Sequence, residues 1–329
     1  MSKSFDEAKL KFENLFANKM SEDEARGFLV ELYKKGESAD EIAAAVSVMR
    51  EYSIKLDIDE KLQEKLIDVV GTGGDKSGSF NISSTVSILL SSTGSYVAKH
   101  GNRSITSKSG SADMLEALGI NLNLGTKEQA TMLQECGFCF LFAQNHHPAM
   151  KHIMPIRKSL DHRTIFNILG PLTNPAGVKK YLIGVFERDF LDPIIKALSM
   201  LDTKSAIAVS SKDGMDEISI SDITYAIELN EQGSREFEID PQNFGMKLYP
   251  HSEILGLDAK SNAKITKDIL EGEEKGAKRD IVLLNAGVAL VVDKVARDIK
   301  EGIEIAKDAI NSGRAKDKLK EIIKVSNSL

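Results

Sequence analysis

The stretch Asp68-Val69-Val70-Gly71-Thr72-Gly73-Gly74-Asp75 decides how this chain folds. It continues an apolar segment containing Leu66 and Ile67, and leads through Asn81-Ile82-Ser83-Ser84 into a second apolar segment, Val86 to Leu90. Strand, glycine loop, helix is the order in which an open α/β sheet presents backbone N–H groups to a phosphate. Without Cβ atoms at its glycines, the loop backbone approaches an anion closely. Asp75 is the odd member, because a carboxylate in such a loop requires a metal ion or a sugar hydroxyl beside the phosphate. Two common phosphate loops are excluded. A dinucleotide fingerprint needs glycine where Lys76 stands, and a Walker A loop needs Gly-Lys-Ser/Thr where Asp75-Lys76-Ser77 stands. Taken alone, the run also fits a strand-to-helix turn with surplus glycines.

Outward from this loop the pattern alternates. Strands are predicted at Ile67–Val70, Tyr96–Lys99, Phe138–Phe142, Tyr181–Phe186, Ala206–Ser210 and Asp280–Leu284. Helical stretches fall between them, among them Ser111–Leu118, Lys127–Cys136 and Leu191–Leu201. The fold class is therefore α/β, with a mainly parallel central sheet flanked by helices. Thr224–Glu238 is less regular and supplies antiparallel strands, and Val295 to Ile323 reads as an amphipathic helix in a solvated outer layer.

The first sixty or so residues are helical. Ser21-Glu22-Asp23-Glu24 and Ser38-Ala39-Asp40-Glu41 both match the capping box ahead of periodic apolar residues. Residues His146 to Gly177 form a long insertion whose helical stretches are interrupted at Pro148, Pro155, Pro171 and Pro175. Folded back onto the N-terminal helices, it completes a smaller all-helical domain of residues 1–64 plus about 149–177. Residues 65–148 and 178–329 then form the α/β domain.

Composition narrows the function. Over 329 residues, 28% are charged and 42% hydrophobic, in ordinary globular proportion. The net charge of −6 argues against nonspecific nucleic-acid binding, and no apolar run reaches the length of a membrane span. The start, Met-Ser-Lys-Ser-Phe-Asp-Glu, has no secretory h-region, and two cysteines make no disulfide framework, so a cytoplasmic setting is expected. Cys136-Gly137-Phe138-Cys139, with His146, His147 and His152 nearby, raises zinc or redox chemistry. The local pattern favours a helix end at Cys136, a terminating Gly137 and a buried strand holding Cys139.

Four polar clusters are predicted on loops, mostly at strand ends. They are Gly71–Asp75 with Asn81 and Ser83; Lys99-His100-Gly101-Asn102-Arg103-Ser104 followed by Thr106 to Ser111; Pro155-Ile156-Arg157; and Gly214-Met215-Asp216-Glu217. Open sheets bind ligands beyond the carboxyl ends of their strands, so the four converge on one site. Lys99, Arg103 and Lys108 suit a ligand with several phosphates. Asp216 and Glu217 require a divalent cation beside those phosphates, and magnesium accepts one or two carboxylates with phosphate oxygens and water. Arg157 suits a carboxylate on a second substrate.

Gly71-Thr72-Gly73-Gly74-Asp75, Lys99 to Ser104, Asn145-His146-His147-Pro148-Ala149-Met150 and Leu169-Gly170-Pro171-Leu172-Thr173-Asn174-Pro175 together resemble the anthranilate phosphoribosyltransferase family of tryptophan biosynthesis. The likeness runs in order to Leu283-Leu284-Asn285-Ala286-Gly287. It implies a phosphoribosyl pyrophosphate site formed by Gly71, Gly74, Asp75, Ser79, Asn81, Ile82, Ser83, Ser84, Lys99, His100, Gly101, Asn102, Arg103, Ser104, Ile105, Thr106, Ser107 and Ser111. It implies magnesium, two ions per subunit, at Ser83, Asp216 and Glu217, and anthranilate at Gly71, Asn102 and Arg157, with His100 and Pro148 near its path. The catalytic set is Lys99, Asp216 and Glu217. The resemblance also implies a homodimer joined through the helical domain. Ser79 and Ser84 depart from the family, which often has threonine there.

An aromatic amine is largely neutral at pH 7, so no histidine–carboxylate dyad is demanded. The barrier is expected to fall through stabilised departure of pyrophosphate, with Lys99 and the metal. A pyrimidine nucleoside phosphorylase, or a non-catalytic nucleic-acid-binding relative, are the other readings of the same fold. The Asp216-Glu217 pair opposes the first and the acidic balance opposes the second.

Overall fold

Ser21 and Ser38 each open a helix with a closed capping box in the computed structural model, which describes residues 2–75, 77–103 and 109–329. The Ser21 hydroxyl accepts from the Glu24 amide at 3.3 Å, and the Glu24 carboxylate accepts from the Ser21 amide at 2.8 Å. Ser38 and Glu41 repeat the arrangement. Helices α1 (Lys3–Phe16), α2 (Glu22–Lys35) and α3 (Ala39–Glu51) bury Phe12, Leu29, Leu32, Ile42 and Val46. The short α4 (Glu60–Gln63) leads into the sheet.

The chain then runs β1 (Leu66–Gly71), α5 (Ile82–Ser91), β2 (Tyr96–Gly101), α6 (Ser111–Ala117), α7 (Thr126–Cys136) and β3 (Phe138–Phe142). Helices α8 (Ala143–His146), α9 (Met150–Lys158) and α10 (Phe166–Leu172) separate β3 from β4 (Lys180–Gly184). Next come α11 (Leu191–Ser199), β5 (Ser205–Ser211), β6 (Thr224–Asn230) and β7 (Gly233–Ile239). Helices α12 (Ala259–Leu270), α13 (Ala277–Val292), α14 (Ile299–Asn311) and α15 (Arg314–Ser328) close the chain.

The seven strands lie in the order β3-β2-β1-β4-β5-β6-β7. The first five are parallel to their neighbours, and β6 and β7 add an antiparallel edge. The chain leaves β1 toward β2 and β3, then returns to place β4 on the other side of β1. That reversal between β1 and β4 is the topological switch point, where open α/β sheets form their ligand crevice.

Polar contacts tie the 146–177 segment to the N-terminal helices. The Ile54 amide donates to the His146 carbonyl at 2.8 Å, and His152 Nε2 donates to the Leu15 carbonyl at 3.1 Å. Arg163 pairs with the buried Glu37 carboxylate at 3.0 Å, and Arg50 donates to the Leu172 carbonyl. Asn174 docks the segment's far end on the sheet, donating to Asp68 at 2.8 Å and to the Ala98 carbonyl at 2.7 Å.

Three local readings are corrected. Asp280–Leu284 lies in helix α13, not a strand: the apolar run continues to Val292, and its 16-residue length selects a helix buried on nearly every side. Val295 to Ile323 is broken at Gly313 into α14 and α15, whose Ile303, Ala306, Ile310, Leu319 and Ile322 are buried. Pro155 and Pro171 lie inside α9 and α10 instead of interrupting them, each leaving its helix one internal hydrogen bond short. Cys136 ends α7 before Gly137, and Cys139 is buried in β3; both thiols are free.

Candidate active site

Gly71 and Gly184 stand opposite each other at the carboxyl ends of β1 and β4, the two strands that flank the switch point. The Asp216 segment, in the loop after β5, lies directly over both. A Cβ at Gly184 would overlap the Asp216 carbonyl, and one at Gly71 would overlap its carboxylate. Only glycine permits that approach. The Asp216 carboxylate accepts from the Gly73 amide at 2.6 Å, so the glycine loop and the acidic pair are bonded to each other. Asp75 accepts from the Ser77 amide at 3.2 Å and from the Asp216 amide at 3.4 Å. Its carboxylate therefore braces the loop through backbone N–H groups.

Glu217 reaches the first turn of α5, accepting from the Ser83 amide at 3.3 Å. The helix N-cap, Asn81, makes no capping bond of its own and donates instead to the Ser109 carbonyl while accepting from Asn262 at 2.9 Å. Ile82 and Ser84 are buried in α5, which leaves Ser83 as the half-buried side chain of that turn. Lys99 Nζ donates to the Val69 carbonyl at 2.8 Å and to Ser83 Oγ at 3.4 Å. Gly71–Asp75, Ser83, Lys99, Asp216 and Glu217 are thus joined in one network. Ser79 stands slightly apart, bridged to Leu255.

Burial pushes the Asp216 carboxyl up to about 7, with the Asp75 charge adding to it, and the Glu217 carboxyl up to about 8, with the Asp216 charge adding. Lys99 is held below its usual range by burial, which outweighs the nearby carboxylates. Three carboxylates around one cleft, two of them resisting ionisation, form a donor set short of positive charge. Among the described residues no three His, Cys, Asp or Glu side chains close into a metal cage by themselves. Hard oxygen donors in a partial set fit magnesium, which completes its shell with phosphate oxygens and water.

The end of β2 supplies a different environment. His100 is buried, and its Nδ1 donates to the Gly170 carbonyl of α10 at 3.0 Å. That leaves Nε2 as an acceptor without a partner among the described residues. Burial and the neighbouring His147 ring, 5.3 Å away, push the His100 imidazole down to about 3, and burial pushes His147 down to about 4. Both rings are neutral. His147, which the sequence reading did not single out, packs against His100, whereas Pro148 is exposed in the turn before α9.

Asn102 follows β2 and receives the Arg103 amide and, at 3.4 Å, the Gln144 amide; its carbonyl accepts from Ser111 Oγ at 3.1 Å. Arg103 does not extend a free cation toward the cleft. Its guanidinium bonds both oxygens of Glu116 at 2.6 Å and Asp113 at 3.0 Å, the exposed face of α6. Ser104, Ile105, Thr106, Ser107 and Lys108 lie outside the described residues.

Arg157 sits in helix α9, not on a loop. It is half-buried, 5.3 Å above the Phe166 ring, with a 3.6 Å contact to Met154 Sδ and no carboxylate partner among the described residues. Phe166 begins α10, and Gly170 of the same helix holds His100. Helix α10 therefore connects Arg157 to the end of β2.

The descriptions "glycosyl transferase family, helical bundle domain" and "glycosyl transferase family, a/b domain" match residues 3–53 and 63–316. The anthranilate phosphoribosyltransferase of Methanobrevibacter smithii is 44% identical over 316 residues, covering 96% of this chain and 93% of that protein. The crystal structure of the Thermus thermophilus anthranilate phosphoribosyltransferase superposes with a TM-score of 0.91 at 36% identity, over 98% of this chain and 95% of that one. The Saccharomyces cerevisiae enzyme, solved in complex with PRPP and Mg, gives a TM-score of 0.87 at 28% identity over 99% and 94%.

Proposed function

The chain belongs to the anthranilate phosphoribosyltransferase family, and from that premise we propose how its residues transfer the 5-phosphoribosyl group of phosphoribosyl pyrophosphate to the amino nitrogen of anthranilate. Pyrophosphate is released, in the second step of tryptophan biosynthesis from chorismate. One observation carries the reading: Asp216 and Glu217 bond the glycine loop and the first turn of α5 at the switch point.

The pyrophosphate end lies against the glycine loop and the start of α5, whose backbone N–H groups face the crevice. Ser83, Asp216 and Glu217 would hold magnesium, two ions per subunit, which would supply positive charge beside the pyrophosphate oxygens. Lys99 fixes the Ser83 hydroxyl and supplies a cation beside the acidic pair. The C1–N bond forms as the C1–O bond breaks, its electron pair leaving on pyrophosphate, and the cationic nitrogen that results then gives up one proton to water or to the departing pyrophosphate. Arg157, which has no carboxylate partner among the described residues, takes the anthranilate carboxylate, and Asn102 contacts both substrates. The amine lone pair is available at neutral pH, so these groups orient the nucleophile and need not deprotonate it.

The same reading covers the remaining residues of the site, Gly74, Ser79, Asn81, Ile82, Ser84, Ser111 and residues 100–107, as contacts of the phosphoribosyl group. It divides the chain into a helical domain, residues 1–64 with about 149–177, and an α/β domain, residues 65–148 and 178–329. The exposed Leu10, Tyr52 and Ile54 of the helical layer support a homodimer joined there. Two free, buried cysteines fit the cytoplasm; no helix among the described residues is long and apolar enough to cross a membrane.

The test is direct. Protein mixed with anthranilate, phosphoribosyl pyrophosphate and magnesium is expected to consume anthranilate fluorescence, and to stop when magnesium is chelated. Folded protein that leaves the fluorescence unchanged refutes the assignment.

A further inference from the structure

The outer side of the glycine loop is held by a segment far along the chain. Residues His251–Ile254 form a 3-10 turn against residues 77–80. The Gly256 amide donates to the Gly78 carbonyl at 2.8 Å, the Phe80 amide donates to the Ile254 carbonyl at 3.1 Å, and Ser79 and Leu255 form an antiparallel bridge. These contacts are all backbone to backbone. One side chain joins them: His251 Nε2 lies 2.7 Å from the Ser77 carbonyl. A carbonyl only accepts, so Nε2 carries the proton.

The Ser77 amide donates to Asp75, and Asp75 accepts the Asp216 amide. Hydrogen bonds therefore run from His251 through Ser77 and Asp75 to the acidic pair. We propose that His251 is a positioning residue for phosphoribosyl pyrophosphate: its ring latches the Ser77 carbonyl and sets where Asp75 and the glycine loop stand relative to Asp216. This rests on the assignment of the glycine loop to that substrate. The ring itself touches no reacting atom. Because the surrounding contacts are backbone bonds, replacing the half-buried His251 side chain removes the latch and leaves the segment in place.

The experiment compares wild type, His251→Ala and His251→Gln in steady-state kinetics and amide hydrogen exchange. In His251→Ala the KM for phosphoribosyl pyrophosphate is expected to rise about three- to tenfold, the worth of one hydrogen bond. The KM for anthranilate stays unchanged, the Tm falls by no more than about three degrees, and exchange at residues 77–80 quickens. In His251→Gln the side-chain amide donates to the same carbonyl and recovers most of the loss. An unchanged KM, a rise shared equally by both substrates, no recovery in His251→Gln, or unaltered exchange overturns the proposal. Exchange is read without turnover, so an inactive wild type whose loop still loosens in His251→Ala refutes the assigned reaction and not the latch.

Discussion

The Asp216 carboxylate accepts the Gly73 amide at 2.6 Å while the Asp216 backbone passes over Gly184, so the acidic pair and the glycine loop form one unit at the switch point. The awkward carboxylate of the loop, Asp75, belongs to that unit as a brace, accepting the Ser77 and Asp216 amides. An anion cradle built next to three carboxylates is a pocket for an anion and its cation together. Its components depend on one another, and that dependence makes it testable.

Gly184→Ala is the sharpest test of the close approach. The added Cβ overlaps the Asp216 carbonyl, and the β4 backbone is locked in register with β1, so the Asp216 segment has to move. Overpacking of this kind costs about 1–3 kcal/mol. The Tm is expected to fall by several degrees in a thermal melt. The KM for phosphoribosyl pyrophosphate should rise more than that for anthranilate, because the displaced group belongs to the phosphate end.

Glu217→Gln separates function from stability in opposite directions. Replacing a charge that burial and Asp216 both oppose relieves the metal-free protein, so its Tm at pH 8 is expected to rise. The magnesium concentration needed for half-maximal activity is expected to increase by at least about tenfold, as a charged oxygen donor is lost. Melting curves without metal and activity titrations with magnesium measure the two effects. A destabilised variant with unchanged magnesium demand would contradict both.

The pH dependence of metal-free stability carries the same signature. Asp216 and Glu217 titrate at about 7 and about 8 in the folded chain, against ordinary values of 3.8 and 4.5. Between pH 6.5 and 8 the folded state keeps protons that the unfolded chain has lost, so stability falls as pH rises. The slope is at most about 1.4 kcal/mol per pH unit for each group. His100 and His147, pushed down to about 3 and about 4, act with the opposite sign, mostly below their unfolded value of 6.5, and their remainder above it is smaller than the carboxyl effect. Denaturant unfolding at pH 6.5 and pH 8 is therefore expected to show a more stable protein at pH 6.5. Magnesium with phosphoribosyl pyrophosphate should reverse the order, since a cation then replaces the protons.

What the sequence made legible follows from how local each signal is. The capping boxes at Ser21 and Ser38 are decided within four residues, and both form. The strand–loop–helix order around Gly71 is equally local, and it located the crevice. Asp280–Leu284 misled because a fully buried helix and a buried strand share an unbroken apolar run, so only its continuation to Val292 separates them. Gly184 carried a weak local signal, a glycine ending a strand, whose meaning depends on a residue 32 positions later. Arg103 reads as a phosphate cation from its neighbours in sequence, and its ion pairs to acids 10 and 13 residues on, in a different element, α6, are not visible there. Such pairings are properties of the folded surface, and no spacing rule reports them.

Arg157 offers the last test, because its surroundings are those of a group kept for a ligand. A half-buried guanidinium over Phe166, with burial lowering its pKa and no carboxylate partner among the described residues, has donors to spare and little water to satisfy them. A substrate carboxylate answers both needs through a bidentate pair, worth about 1.5–3 kcal/mol when charge-assisted. Arg157→Ala is therefore expected to raise the anthranilate KM about ten- to a hundredfold. The KM for phosphoribosyl pyrophosphate should change far less. Arg157→Lys keeps the charge but loses the fork and should recover only part of the loss. Steady-state kinetics with each substrate varied in turn decides it. A larger effect on the phosphoribosyl pyrophosphate KM would assign Arg157 to the other end of the site.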